Sequence, residues 1–338
     1  MRDLLVVGAG PGGLAAAITA ARSGMSVAVL EPRPGPIDKA CAEGLMPWAV
    51  ATISGLGVTV SGMPFHGIRY RTAETVAEAR FVDGAGAGVR RTELSTALLD
   101  RCADLGIPIH RTSAGTIEQD ATSVRTSGFV GRHLAAADGL HSPIRHQLGL
   151  DRPSRRRVRH GLRAHFGVEP WSDLVEVHWG RDSEAYVTPL GPDLIGVAVL
   201  SSRRDSFEGH LNEFPELQAR LRLPAVTRTR GASGLRQGST ARTAGRVFLV
   251  GDAAGYIDAI TGEGVALAAA TGVALADCLA AGRPQDYERS WQRVTRLSRT
   301  LTAALTSVAG SPLLRRAVVP TCAAVPPIFR TGVRLLAG

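Results

Sequence analysis

The stretch Leu4-Leu5-Val6-Val7-Gly8-Ala9-Gly10-Pro11-Gly12-Gly13 decides the fold. Four consecutive apolar residues suit a parallel strand covered on both faces. The next six match G-x-G-x-x-G, and an alanine-rich helix follows as far as Ser23. Gly24 ends that helix, residues 25–30 form the next strand, and Glu31 stands at its end. Together they make a β-α-β unit. Each glycine has a physical task. Gly8 makes the tight turn, Gly10 lets backbone N–H groups approach a pyrophosphate, and Gly13 lets helix and strand pack closely. The pyrophosphate then sits at the positive end of the helix dipole, and Glu31 accepts hydrogen bonds from the adenosine ribose.

Outward from this unit, residues 67–81 alternate like strands. Residues 91–105 are helical, with Leu94, Leu98 and Leu105 on one side, and residues 124–137 read as strands ending in Asp138-Gly139. Residues 160–200 are β in character throughout. Residues 246–250 form another buried parallel strand, and a helix starts near Gly264. The tail from Trp291 is helical and apolar, with arginines interspersed. Nucleotide-binding signals thus fall in three pieces, near 1–45, 89–150 and 236–285. The expected architecture is a discontinuous cofactor domain (1–62, 86–155, 236–290), an inserted β-sheet substrate domain (63–85, 156–235) and a C-terminal helical segment (291–338).

Composition narrows the class. The 338 residues are 44% apolar and 20% charged, which fits a globular chain of roughly two domains. The net charge of +9 comes almost wholly from arginine, because Lys39 is the only lysine. Five arginines fall within residues 152–159 and read as a solvated linker. No aromatic interleaving or binding motif accompanies them, so nucleic acid is excluded as a partner. Cys41, Cys102, Cys278 and Cys322 stand far apart, which argues against a disulfide framework or a zinc site and fits a reducing cytoplasm. No histidine spacing suits a metal. The first strand begins within three residues, leaving no room for a signal peptide. The longest apolar stretch, residues 265–282, contains Thr271, Gly272 and Asp277, too polar for a membrane span.

The far motifs choose the cofactor. Arg246-Val247-Phe248-Leu249-Val250-Gly251-Asp252-Ala253-Ala254 resembles the second fingerprint of FAD-dependent hydroxylases and reductases. Asp138-Gly139-Leu140-His141-Ser142-Pro143-Ile144-Arg145 resembles the D-G-x-x-S-x-x-R motif of the aromatic hydroxylases. Lys39-Ala40-Cys41-Ala42-Glu43-Gly44-Leu45 is similar to the K-x-C-x-x-G-L segment of geranylgeranyl-reductase-like flavoproteins, as is the stretch 251–264 with Gly255. Tyr186-Val187-Thr188-Pro189 resembles that group's W-x-F-P strand, but Tyr186 and Thr188 replace both aromatics, which counts against a prenyl-chain pocket. The mixture looks most like actinobacterial flavoprotein hydroxylases that tailor polyketides and phenolic lipids.

This resemblance implies an α/β protein: a Rossmann-type FAD-binding domain carrying an inserted β-sheet. It implies that Asp252 binds the ribityl chain, that Arg91 opens a helix over the phosphates, and that residues 261–264 offer donors to the flavin N1–C2=O edge, where they stabilise reduced flavin. The cofactor set is Gly8, Gly10, Pro11, Gly12, Gly13, Glu31, Arg33, Gly44, Arg91, Ala114, Asp138, Gly139, Gly251, Asp252, Gly262, Gly264 and Val265. Pocket candidates are Lys39, Cys41, Tyr186, Thr188 and His178, while His165, Trp171 and Trp179 read as core. The leading expectation is a monooxygenase reduced by NAD(P)H that hydroxylates a small lipophilic phenolic or polyketide-type substrate through a flavin C4a-hydroperoxide. The alternatives are a reductase of isoprenoid double bonds and a non-catalytic redox sensor. The basic, apolar tail adds an expected peripheral membrane contact. Oligomeric state is left open.

Overall fold

The computed structural model describes residues 1–153, 158–221 and 224–338. Strand Arg2–Val7 lies at the centre of an eight-stranded sheet. It pairs in parallel with Val27–Leu30 on one side and with Phe129–Ala136 on the other. Val247–Leu249 adds in parallel beyond Phe129–Ala136, and Ile109–His110 beyond Val27–Leu30. Leu4, Leu5, Val6, Leu134, Val247 and Leu249 are completely buried, as a continuous apolar run covered on both faces requires. The helix Pro11–Arg22 covers one face and packs closely on the helix Gly264–Ala280. Strands from both ends of the chain and from its middle therefore share one sheet.

A second sheet has seven strands, ordered Arg230–Ser233, His160–Phe166, Leu194–Ser201, Ser183–Gly191, Val175–Trp179, Gly67–Arg71 and Val76–Arg80. Its neighbours are antiparallel except for Val175–Trp179 on Gly67–Arg71. The strand Met63–Phe65 does not join it. It pairs with Gly86–Gly88, which also pairs with Gly44–Leu45, in a small sheet beside the cavity.

The seven-stranded sheet has two differently covered faces. One packs Phe166, Ala185, Val187 and Ile195 against the short helices Phe207–Leu211 and Pro215–Leu221. The other carries Val177, Trp179, Tyr186 and Leu200, and meets Ile260, Val318 and Val319. The C-terminal helices Tyr287–Ala309, Pro312–Ala324 and Pro326–Ala337 thus complete the core rather than trail from it.

One expectation about charge is corrected here. Residues 154–157 lie outside the described residues, but Arg159 is no solvated linker residue. Its guanidinium is nearly buried and pairs with Glu184 and with Asp258 at 3.1 Å. Arg315 reaches Glu184 from the other side at 2.5 Å and donates to the Gly180 carbonyl. A buried carboxylate shared by two arginines ties the last helices to the sheet, and removing one partner of such a group is costly.

Candidate functional site

The glycine turn is close-packed on its inner side and open on its outer side. Gly8 has φ +103°, and a Cβ on Gly13 would stand 1.9 Å from the Gly8 carbonyl oxygen. No side chain fits there. A Cβ on Gly10 would meet nothing within 4 Å, because Gly10 faces a cavity. Pro11 opens the helix, and no side chain caps its N-terminus. Its first N–H groups are left for a ligand.

Around this opening stand groups that lack protein partners. Arg91 is buried at the head of the helix Arg91–Asp104, and its Nη1 has no hydrogen-bond partner. Burial lowers its pKa despite Cys41, Asp252 and Glu43 nearby. Burial raises the Asp252 pKa, opposed by Lys39 and Arg91. The Lys39 pKa is lowered by desolvation and pulled back by Asp252. Asp138 accepts from the Ile144 amide at 3.1 Å, but its Oδ1 is buried without a partner. A buried unpaired donor or acceptor is costly unless something answers it. An uncapped helix N-terminus, the unpartnered Nη1 of Arg91 and the Asp252 carboxylate, which line one cavity, fit the pyrophosphate and ribityl hydroxyls of FAD.

Arg145 has a scaffolding task. Its guanidinium binds Asp151 at 2.6 Å, the Ala253 carbonyl at 3.1 Å and Gln237 at 3.2 Å. The motif 138–145 is thereby stapled to the turn Gly251–Ala254 that carries Asp252.

One cavity gathers most of the sequence candidates. Gly10, Pro11, Gly12, Lys39, Cys41, Gly44, Arg91, Gly139, Tyr186, Gly251, Asp252, Gly262, Gly264 and Val265 all line it. Gly8 and Gly13 lie beneath it as packing. Glu31 is engaged elsewhere: it accepts from the Ala9 amide at 2.9 Å and pairs with Arg33 Nε at 2.7 Å. Ala114 follows the edge strand Ile109–His110 and does not reach the cavity.

Two pocket candidates are corrected. His178 points to the opposite face of its strand, 3.3 Å from Glu176 and edge-on to Phe214, because side chains alternate across a strand. Thr188 shares a face with Tyr186 but is fully buried, and its hydroxyl donates to the Ala42 carbonyl at 2.7 Å. It holds the loop instead of meeting a ligand. Cys41 lines the cavity, and burial with Glu43 beside it raises its pKa, so it is a neutral thiol.

Glu43 is the main residue that the sequence did not single out. It adopts φ +62°, a strained conformation for a non-glycine residue. Its carboxylate binds His165 Nε2 at 2.6 Å and accepts from the Arg91 amide at 2.7 Å. His165 also meets the Thr227 hydroxyl at 2.9 Å. Arg163 pairs with Asp38 and donates to the Lys39 carbonyl at 3.2 Å. The loop 38–44 is thus pinned to the strand His160–Phe166. Tyr256 was missed too, and Glu263 was read only for its backbone within residues 261–264. Tyr256 lines the cavity, and Glu263 heads the helix Gly264–Ala280, where burial pushes its pKa up to about 7.

The family described as FAD binding domain matches residues 1–283. The menaquinone reductase of Mycolicibacterium smegmatis is 30% identical over 330 residues, covering 86% of this chain and 79% of that protein. The digeranylgeranylglycerophospholipid reductase of Thermoplasma acidophilum is 26% identical, covering 80% of this chain and 76% of that protein. A solved flavoprotein/dehydrogenase from Cytophaga hutchinsonii superposes with a TM-score of 0.83 at 19% identity, over 99% of this chain and 92% of that one. That likeness shows the fold. The chain belongs to the FAD-binding-domain family and is an FAD-dependent oxidoreductase.

Proposed function

We propose that this oxidoreductase is a reductase of an isoprenoid lipid, with electrons supplied by NAD(P)H. The observation that carries the reading is the apolar wall across from the FAD residues. Leu162, Ala198, Leu200 and Leu235 line that wall, and Tyr186 turns its hydroxyl away to the Ile260 carbonyl at 3.1 Å. Hydroxylating a phenol benefits from a base that ionises it. Among the described residues lining the cavity the carboxylates are Glu43, already engaged by His165 and the Arg91 amide, and Asp252. Lys39, Arg91 and Asp252 lie at the FAD end. Similarity to two reductases whose names carry isoprenoid lipids supports the same reading. The departure from the W-x-F-P pattern weighs less than the sequence suggests, because Tyr186 is itself aromatic and Thr188 lies outside the cavity.

Bound FAD would supply two-electron transfer. The chain's own part is placement and exclusion of water. Arg91 and the N-terminus of Pro11–Arg22 hold the phosphates, Asp252 the ribityl hydroxyls, and Lys39 balances the Asp252 charge. The Cys41 thiol stays protonated beside the cavity. Regions 63–85 and 156–235 serve as the substrate part, and the enzyme acts from the cytoplasm. The test is turnover without oxygen, using menaquinone and a geranylgeranyl lipid, read by mass spectrometry. Gain of two hydrogens supports reduction. Turnover only in air, with labelled oxygen in the product, overturns it in favour of hydroxylation.

A further inference from the structure

The charge of the chain is concentrated at one end. After Glu288 the last fifty residues contain eight arginines and no acidic residue, whereas the rest holds 31 basic and 30 acidic residues. Exposed apolar side chains concentrate there as well. Of the eleven large hydrophobic residues exposed among the described residues, six lie in this stretch: Leu297, Leu313, Leu314, Val325, Ile328 and Leu335.

The helices Pro312–Ala324 and Pro326–Ala337 divide their surfaces sharply. Inner faces hold Val318 and Val319 against Val177 and Trp179, and Phe329 and Val333 against Ala77 and Ala79. The Phe329 ring lies 4.6 Å from the Tyr70 ring, tilted by 40°. Arg315 is buried in its pair with Glu184. Outer faces present Leu313, Leu314, Ile328 and Leu335 with Arg316, Arg330 and Arg334, all exposed. Those outer residues contribute nothing to the core. Leu313 is 80% exposed.

We propose that this outer face docks on an anionic lipid bilayer as a peripheral contact. Apolar side chains set among arginines suit the interface, where the stems lie along the acyl boundary and guanidinium groups meet phosphates. Charge chooses this occupant over a second copy of the chain. A two-fold contact would bring the same acid-free, arginine-bearing face onto itself and set like charges together. No helix among the described residues is long and apolar enough to cross a membrane, so the contact is superficial. Val318 and Val319 share a cluster with Tyr186 and Leu235, which line the cavity. The docking helices therefore back the apolar wall, whichever reaction the cavity carries out.

The experiment is co-sedimentation of FAD-loaded protein with vesicles of phosphatidylcholine alone or with phosphatidylglycerol added. The expected result is binding to the anionic vesicles only, abolished by high salt. Arg316→Gln, Arg330→Gln and Arg334→Gln together should weaken it roughly a hundredfold, since each surface cation contributes about fivefold. Leu313→Ser, Leu314→Ser and Ile328→Ser together should weaken it about tenfold or more. Unchanged FAD content and unfolding midpoint show that both variants are folded. Absence of binding, equal binding to neutral vesicles, or unaltered binding by both variants overturns the proposal. So does a vesicle-free dimer that the serine variant dissociates.

Discussion

The cavity has two sides that differ in how they are built. The glycine turn 8–13 is made of backbone: Gly13 packs on the Gly8 carbonyl, Gly8 on the Ala137 carbonyl and Gly12 on the Ala268 carbonyl. The loop 38–44 is made of side chains whose partners lie far along the chain. Glu43 reaches His165, Arg163 reaches Asp38, and Thr188 reaches the Ala42 carbonyl. A backbone site depends on conformations that few residues allow. A side-chain site depends on a buried polar network that must be satisfied throughout.

The largest effect should come from the backbone side. Gly13→Val places a branched side chain where even a Cβ would stand 1.9 Å from the Gly8 oxygen. The turn cannot yield without parting strand and helix, and no FAD-loaded protein is expected on reconstitution. Flavin retained at normal stoichiometry would show that the turn is softer than its packing implies. The side-chain counterpart is Glu43→Ala, which leaves His165 buried without its carboxylate and Arg163 with Asp38 alone. Removing one partner of a buried pair costs about 3–5 kcal/mol, to be read from urea unfolding. Glu43→Gln should recover part of this, because its amide oxygen still accepts from the Arg91 amide. Wild-type stability in the alanine variant would mean that the loop is held by something other than the network.

This contrast explains what the sequence made legible. The main sheet follows from continuous apolar runs at 4–7 and 247–250, and the turn from glycine spacing. Both signals are local. The cavity members Arg91, Gly139 and Asp252 came from motif resemblance, because nothing near them in sequence shows that they converge. Glu43 sat inside a quoted motif yet carried no signal, since its partner is 122 residues away. His178 was misplaced because strand alternation fixes relative faces but not which face meets the cavity. Arg159 looked like part of a solvated run because Glu184 and Asp258 are separated from it in sequence and joined only by folding.

Gly262 and Gly264 line the cavity as well, and Glu263 between them heads the helix Gly264–Ala280, where the comparison can be sharpened by pH. Glu263 accepts from the Ser298 hydroxyl at 2.7 Å, and burial raises its pKa from 4.5 to about 7. The folded state keeps a proton that the unfolded chain has released, so stability falls as pH rises through this interval and remains lower above it. Glu263→Gln keeps the size and removes the titration. The variant should match wild-type near pH 4 and exceed it by about 3 kcal/mol near pH 8. A gap that does not change with pH would show that Glu263 is not held protonated by its burial.

The smallest expected effect lies on the apolar wall, and it separates placement of a substrate from placement of FAD. Tyr186 is buried with its hydroxyl on the Ile260 carbonyl, in the segment leading to the 262–264 turn. Tyr186→Phe keeps the ring against the cavity and removes a single hydrogen bond, at a cost of about 1 kcal/mol. FAD affinity should stay within about threefold, because no phosphate or ribityl contact changes. The freed carbonyl loosens residues 260–264, so on the proposed reading reduction of the lipid should slow while flavin reduction by NAD(P)H does not. Rapid-mixing measurement of the two half-reactions distinguishes them. If flavin affinity falls tenfold or more, the wall belongs to the cofactor side and the division between backbone-built and side-chain-built halves is misplaced. If neither half-reaction changes, Tyr186 is packing alone, and the apolar wall is formed by Leu162, Ala198, Leu200 and Leu235 without it.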